Sequence, residues 1–149
     1  MIQRKVTEQI MPWLGTTKIL NIKGARRVGK TTLLRHLEQQ LKDKGEKTLY
    51  LSVEHQRHLP IFRDPSVFVR FLREQHSMGK GKKLFLFLDD FQYIWDPIHF
   101  LKQLDEMTGN ECQLILSAST TFHIMKTAEG FGSDRRKKFF LRHLSFAEY

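Results

Sequence analysis

Apolar and polar positions fall into blocks along this chain, and most blocks end at a glycine, a proline or an acid. The run TKILNIK at 17–23 is short and β-prone, and it stops at Gly24. From Thr31 the period lengthens. Leu33, Leu34, Leu37 and Leu41 recur at helical spacing, and Gly45 closes the segment. KTLYLSVE at 47–54 predicts a second strand, and HQRHLPIFR at 55–63 a loop. Asp64 before Pro65 is a helix cap with proline at the first helical position. The helix it predicts carries Val67, Phe68, Phe71 and Leu72 on one side and breaks at Gly79–Gly81.

KKLFLFLDD at 82–90 holds five consecutive apolar residues and then two acids. An apolar run without alternation suits a strand buried on both faces. Asp96–Pro97 repeats the cap signature, Ile98, Leu101, Leu104 and Met107 form the next helical stripe, and Gly109 follows. CQLILSAS at 112–119 predicts another buried strand. A short helix over Thr121–Lys126, a glycine-bearing loop at 128–136 and a fifth strand at 137–143 complete the pattern. Strands and helices alternate throughout, so the expected fold is α/β with a mostly parallel sheet, in one domain spanning 1–149.

Composition narrows the setting. With 40% hydrophobic and 28% charged residues over 149 positions, the chain has the balance of a soluble globular domain with a real core. No run of 18 apolar residues occurs, so no membrane span or membrane partner is expected. The N-terminus lacks the apolar core of a signal peptide, and Cys112 is the single cysteine, which rules out an internal disulfide. A cytoplasmic setting follows as the expectation. The net charge of +9 attracts polyanions, and Arg135, Arg136, Lys137, Lys138 and Arg142 concentrate part of it near the C-terminus.

The candidate chemistry sits between the first strand and the first long helix. GARRVGKT at 24–31 satisfies the phosphate-loop pattern G-x-x-x-x-G-K-[ST]. A helix start offers unpaired N–H groups and the positive end of the helix dipole to phosphate. Gly24 and Gly29 let the backbone curl around it, with Ala25, Arg26, Arg27 and Val28 completing the loop. Lys30 supplies a mobile positive charge for the β- and γ-phosphates, the Thr31 hydroxyl suits Mg²⁺, and Thr32 is placed for the α-phosphate. A P-loop of this kind needs an acid at the end of a buried strand to hold magnesium through water. Asp89 ends LFLFL and fills that part. Asp90 is next, where a carboxylate can orient or deprotonate the attacking water. A nucleoside triphosphate with Mg²⁺ is therefore the expected ligand.

Taken together, these motifs resemble those of the prokaryotic AAA-family ATPases with G-x-R-R-x-G-K-T-T-L-L, here Gly24 to Leu34 with Ala25 in place of the usual proline. Leu88-Asp89-Asp90-Phe91-Gln92 is similar to the group's L-D-E-[IV]-Q, with the shorter Asp90 where glutamate is usual. Ser117-Ala118-Ser119 stands where the group has T-G-S. His143 to Tyr149, HLSFAEY, is similar to P-L-S-F-x-E-[FY]. The resemblance implies a three-layer P-loop core with strand order 5-1-4-3-2, ATP rather than GTP, and a polar sensor on strand four at Ser117, with Ser119 as alternate. It also implies an arginine finger at Arg135, with Arg136 as alternate, and hence a homo-oligomer. Members continue past this ending into a helical lid and a further domain, so the expectation is a single ATP-binding domain without them.

Several weaker signals compete. His55 and His58 have metal-pair spacing but no third ligand, and read as loop histidines. Trp13 and Trp95 read as packing residues, and Met11 with Trp13 as candidate walls for adenine. The leading function is Mg²⁺-dependent hydrolysis of ATP to ADP and phosphate, with Lys30, Asp90, Ser117 and Arg135 as its catalytic set. The alternative is a nucleotide-responsive module that hydrolyses little and offers its basic C-terminal face to nucleic acid or a protein. A small-molecule kinase fits the acid pair and the LSFAEY ending poorly, and no N-K-x-D guanine motif follows the acids.

Overall fold

A computed structural model of the protein describes residues 4–24, 29–56, 58–119 and 136–141. Strands β1 (Ile19–Gly24), β2 (Lys47–Ser52), β3 (Leu84–Asp89), β4 (Cys112–Ser119) and β5 (Arg136–Leu141) alternate with helices. The helices are α1 (Arg4–Ile10), α2 (Lys30–Asp43), a single turn α3 (Val53–Gln56), α4 (Pro65–His76) and α5 (Pro97–Thr108). Four strands lie side by side as β2-β3-β4-β1, and β5 adds beside β1. Every neighbouring pair is parallel. This is the strand order expected from the resemblance.

The pleat of the central strands explains the two cores. Phe85 and Phe87 of β3 and Ile115 of β4 face α1 and α2, joining Val6, Ile10, Leu33, Leu34, Leu37 and Phe139. Leu84, Leu86 and Leu88, with Leu114 and Leu116, face α4 and α5 on the other side and meet Phe68, Leu72, Phe100 and Leu104. An uninterrupted apolar run is what a strand needs when both its faces are covered.

Both proline caps form as predicted. The Asp64 carboxylate accepts the Ser66 N–H at 2.9 Å, and the Asp96 carboxylate accepts the His99 N–H at 3.4 Å. Several expectations need correction. Helix α1 has no counterpart in the predicted elements; its Val6 and Ile10 are buried one helical turn apart. The second strand ends at Ser52, and Val53–Gln56 turn into α3, so His55 lies on a helical turn rather than a loop. The buried stripes sit slightly rotated. Val69 is buried where Val67 was expected, and Phe100 and Thr108 replace the exposed Met107. Trp95 is not a packing residue, being 85% exposed. The expected helix at Thr121–Lys126, most of the loop at 128–136 and the ending from Arg142 to Tyr149 lie outside the described residues.

Candidate nucleotide-binding site

The carboxyl ends of the parallel strands converge at one end of the sheet, where ligands of such sheets bind. There β1 ends at Gly24 and α2 begins at Lys30. Gly29 sits at the helix start with φ 94° and ψ 21°, a left-handed conformation that costs glycine little. It has no side chain to cap the helix. The Lys30, Thr31 and Thr32 N–H groups, in the first turn, have no partner within the helix. Lys30 is 7% exposed, and its Nζ donates to the Gly24 carbonyl at 2.8 Å, so the ammonium lies across the mouth of the loop. Ala25, Arg26, Arg27 and Val28 lie outside the described residues.

Asp89 is the focus of the site. It closes β3, is 1% exposed, and accepts three hydroxyl donors from three different elements. Thr31, at the start of α2, donates Oγ1–H to Oδ2 at 2.6 Å. Tyr50 of β2 donates to the same oxygen, and Ser117 of β4 donates to Oδ1. Ser117 Oγ also accepts the Asp90 N–H at 2.8 Å, so one buried hydroxyl ties both acids to the neighbouring strand. Burial holds the Tyr50 phenol above its ordinary range, assisted by the Asp89 carboxylate, so Tyr50 stays a donor.

Asp90 follows in a left-handed conformation, φ 57° and ψ 51°, that turns the chain away from the sheet into the helical turn Phe91–Tyr93. Burial raises its pKa above the ordinary carboxylate value, and the charges of Asp89 and Glu54 push the same way. Lys30 and a side-chain hydrogen bond with Gln92 oppose that shift.

Thus the structure brings Gly24, Gly29, Lys30, Thr31, Asp89, Asp90 and Ser117 to one end of the sheet. Thr32 is in the same first turn. Ser119 stands in register with Gly24, beside the loop. Arg135 lies outside the described residues, and Arg136 begins β5 opposite Ile19, at the far end of that strand from Gly24. Met11 and Trp13 pack partly buried against the α2 side of the core. His55 shares a hydrogen bond with Ser52, Oγ to Nδ1 at 2.7 Å. Among the described residues no three His, Cys, Asp or Glu cluster to hold a metal. A lone buried carboxylate beside a hydroxyl is a hard-oxygen pair, and it fits Mg²⁺ held partly by water and phosphate oxygens rather than by a protein cage.

Sequence reasoning missed Tyr50. Its signal was the alternation of KTLYLS, which puts Thr48 and Tyr50 on one face of the strand. Nothing in the spacing shows that a phenol on β2 reaches across to Asp89.

A strand, a glycine-bounded loop and a helix with Lys and Thr at its start, facing an acid on a parallel strand, define the P-loop nucleotide-binding class. Within that class the chain belongs to the AAA domain family, whose profile matches residues 16–149. No curated protein is matched by the sequence. Similar solved structures include the ORC1 protein of Aeropyrum pernix in complex with DNA. The likeness has a TM-score of 0.67 at 12% identity and covers 98% of this chain and 46% of that one. Drosophila ORC bound to DNA gives 0.68 at 13% identity, covering 97% and 44%. AMPPCP-bound DnaA from Aquifex aeolicus gives 0.54 at 22% identity, covering 91% and 44%. These likenesses are of fold, and the chain spans under half the length of each of the three. Among the described residues no helix is long and apolar enough to cross a membrane.

Proposed function

We propose that the chain binds ATP with Mg²⁺ and hydrolyses it to ADP and phosphate in a cytoplasmic setting. The observation that carries this reading is the hydrogen-bonded group around Asp89. It joins the Thr31 hydroxyl, the β3 carboxylate and the β4 hydroxyl of Ser117 at the mouth of a phosphate loop. The loop from Gly24 to Gly29 and the first N–H groups of α2 bind the phosphates, and Lys30 leaves the Gly24 carbonyl for the β- and γ-oxygens. Thr31 and Asp89 would hold the magnesium, which when bound offsets the negative charge of the phosphates. Asp90 orients the attacking water and accepts its proton. Ser117 keeps both acids in place and acts as the polar sensor, with Ser119, in register with Gly24 at the end of β4, as the alternate. Arg135 acts as a finger from a neighbouring copy. Residues 1–149 work as one ATP-binding unit.

A second reading has one observation in its favour. Asp90 is shorter than glutamate and engages Gln92, which suits a module that holds ATP and turns it over slowly while its basic C-terminal face meets nucleic acid or a protein. A single-turnover assay with radiolabelled ATP, with and without DNA, separates the two. Phosphate release at one equivalent per chain supports hydrolysis; ATP that stays bound and intact supports the module. Binding itself is tested by melting. A ligand at 100 times its dissociation constant adds about 2.7 kcal/mol, a rise of roughly 5–10 °C for a domain of this size. A folded chain with no rise in millimolar Mg·ATP would refute both readings.

A further inference from the structure

Of the three hydroxyls on Asp89, that of Tyr50 comes from outside the phosphate loop and the sensor strand. Tyr50 stands on β2 in register with Phe87, two residues before Asp89, so its side chain shares the α2 face with that carboxylate. Its ring is clamped. One side packs against the α2 core. The guanidinium of Arg35, one turn along α2 from Thr31, lies 3.6 Å from the ring centroid. Arg35 in turn bonds Glu38 at 3.3 Å, and the buried Glu38 also accepts the Thr48 hydroxyl at 3.3 Å. The phenol therefore has one place to go, and that place is Oδ2 of Asp89, the oxygen that also accepts Thr31.

We propose that Tyr50 is a positioning residue for magnesium. Its hydroxyl fixes the Asp89 carboxylate against Thr31, so that the two oxygen groups meet the cation together. The inference rests on the proposed Mg·ATP reading and deepens it. A carboxylate held on one oxygen by Thr31 alone can swing about its side-chain bonds; two donors on Oδ2 and one on Oδ1 leave it a single orientation. Hydrogen-bonded partners behind a metal ligand change metal affinity about 10- to 100-fold when removed. If Tyr50 merely satisfied a buried carboxylate, its loss would lower stability and leave the magnesium requirement where it was.

The test measures binding of a fluorescent ATP analogue to the full chain as free Mg²⁺ is varied, and again in EDTA. Tyr50→Phe keeps the ring and its contact with Arg35. It should raise the half-saturating Mg²⁺ concentration by about tenfold and leave the affinity in EDTA unchanged. Arg35→Leu retains the hydroxyl but releases the ring, and should move the midpoint the same way by less. It also keeps the test available if Tyr50→Phe does not fold. Wild-type midpoints in both variants would overturn the role of Tyr50 while leaving Mg·ATP binding intact. A wild-type chain whose nucleotide binding ignores Mg²⁺ would overturn this inference together with the magnesium part of the proposed function.

Discussion

Asp90 holds its carboxylate on a left-handed backbone, φ 57°, directly after the buried Asp89. Aspartate and asparagine tolerate that conformation better than longer side chains do. Asp90→Asn therefore preserves the turn and removes a charge that Asp89 and Glu54 oppose. Its melting temperature should equal or exceed that of the wild type, ATP should remain bound, and turnover should stop. Wild-type turnover in this variant would remove Asp90 from the chemistry. Asp90→Glu sets two effects against each other. The added methylene restores the reach usual in the AAA group the sequence resembles. The left-handed backbone costs a glutamate about 1 kcal/mol, or roughly 2–4 °C of melting temperature. The expected outcome is a lower melting point with a turnover rate equal to or above wild type. For Lys30→Ala, the loss of a charged hydrogen bond, about 1.5–3 kcal/mol, lowers ATP affinity roughly 10- to 150-fold, measured by equilibrium titration. The meeting of Lys30, Thr31 and Asp89 at one end of the sheet was legible because each residue type has a fixed place in a short pattern. Tyr50 was not legible, because its partner is 39 residues away on another strand.

Among the elements, β4 was read to the residue, and its first turn of register is anchored in a way the sequence hides. Gln113 is 2% exposed and reaches back to the segment before β1. Its amide donates to the Trp13 and Lys18 carbonyls at 2.8 and 2.9 Å and accepts the Gly15 N–H at 2.8 Å. Gln113→Leu fits the space and removes those three bonds, although the Trp13 carbonyl keeps the Thr16 hydroxyl and N–H. At about 1 kcal/mol for each bond lost, the variant should be less stable by about 2–4 kcal/mol, measured by urea denaturation. A change below 0.5 kcal/mol would mean that water replaces the amide. Helix α1 escaped prediction because RKVTEQI offers only two apolar positions, one turn apart, too few to show a period. The α4 and α5 stripes came out slightly rotated for a related reason. In FVRFL and PIHFL neighbouring positions are both apolar, and a 3.6-residue period over three turns cannot rank them without knowing where the sheet lies.

For the whole molecule, the proposed arginine finger requires copies to associate against a net charge of +9 on each. A finger supplied by a neighbouring copy is worth about 10³–10⁵ in rate, so ATP turnover per chain should rise with protein concentration. Arg135→Ala should flatten that rise with little change in ATP affinity, because the contact belongs to the transition state. Concentration-independent turnover that is unmoved by Arg135→Ala and Arg136→Ala would exclude the finger. The basic stretch from Arg135 to Arg142 would then be tested on DNA, where affinity should fall steeply with added salt. The strand order carries a different consequence, for the making of the protein. Among the described residues, β1 finds its neighbouring strands only in β4 and β5, and Leu20 stands opposite Ile115. On the ribosome, β1 is translated before either of the strands it pairs with, so both of its edges stay unpaired until β4 has emerged. Such late closure is slow, and bare strand edges invite wrong partners. A nascent chain that stalls before Cys112 lacks the neighbour against which β1, and with it the start of the candidate loop at Gly24, is aligned.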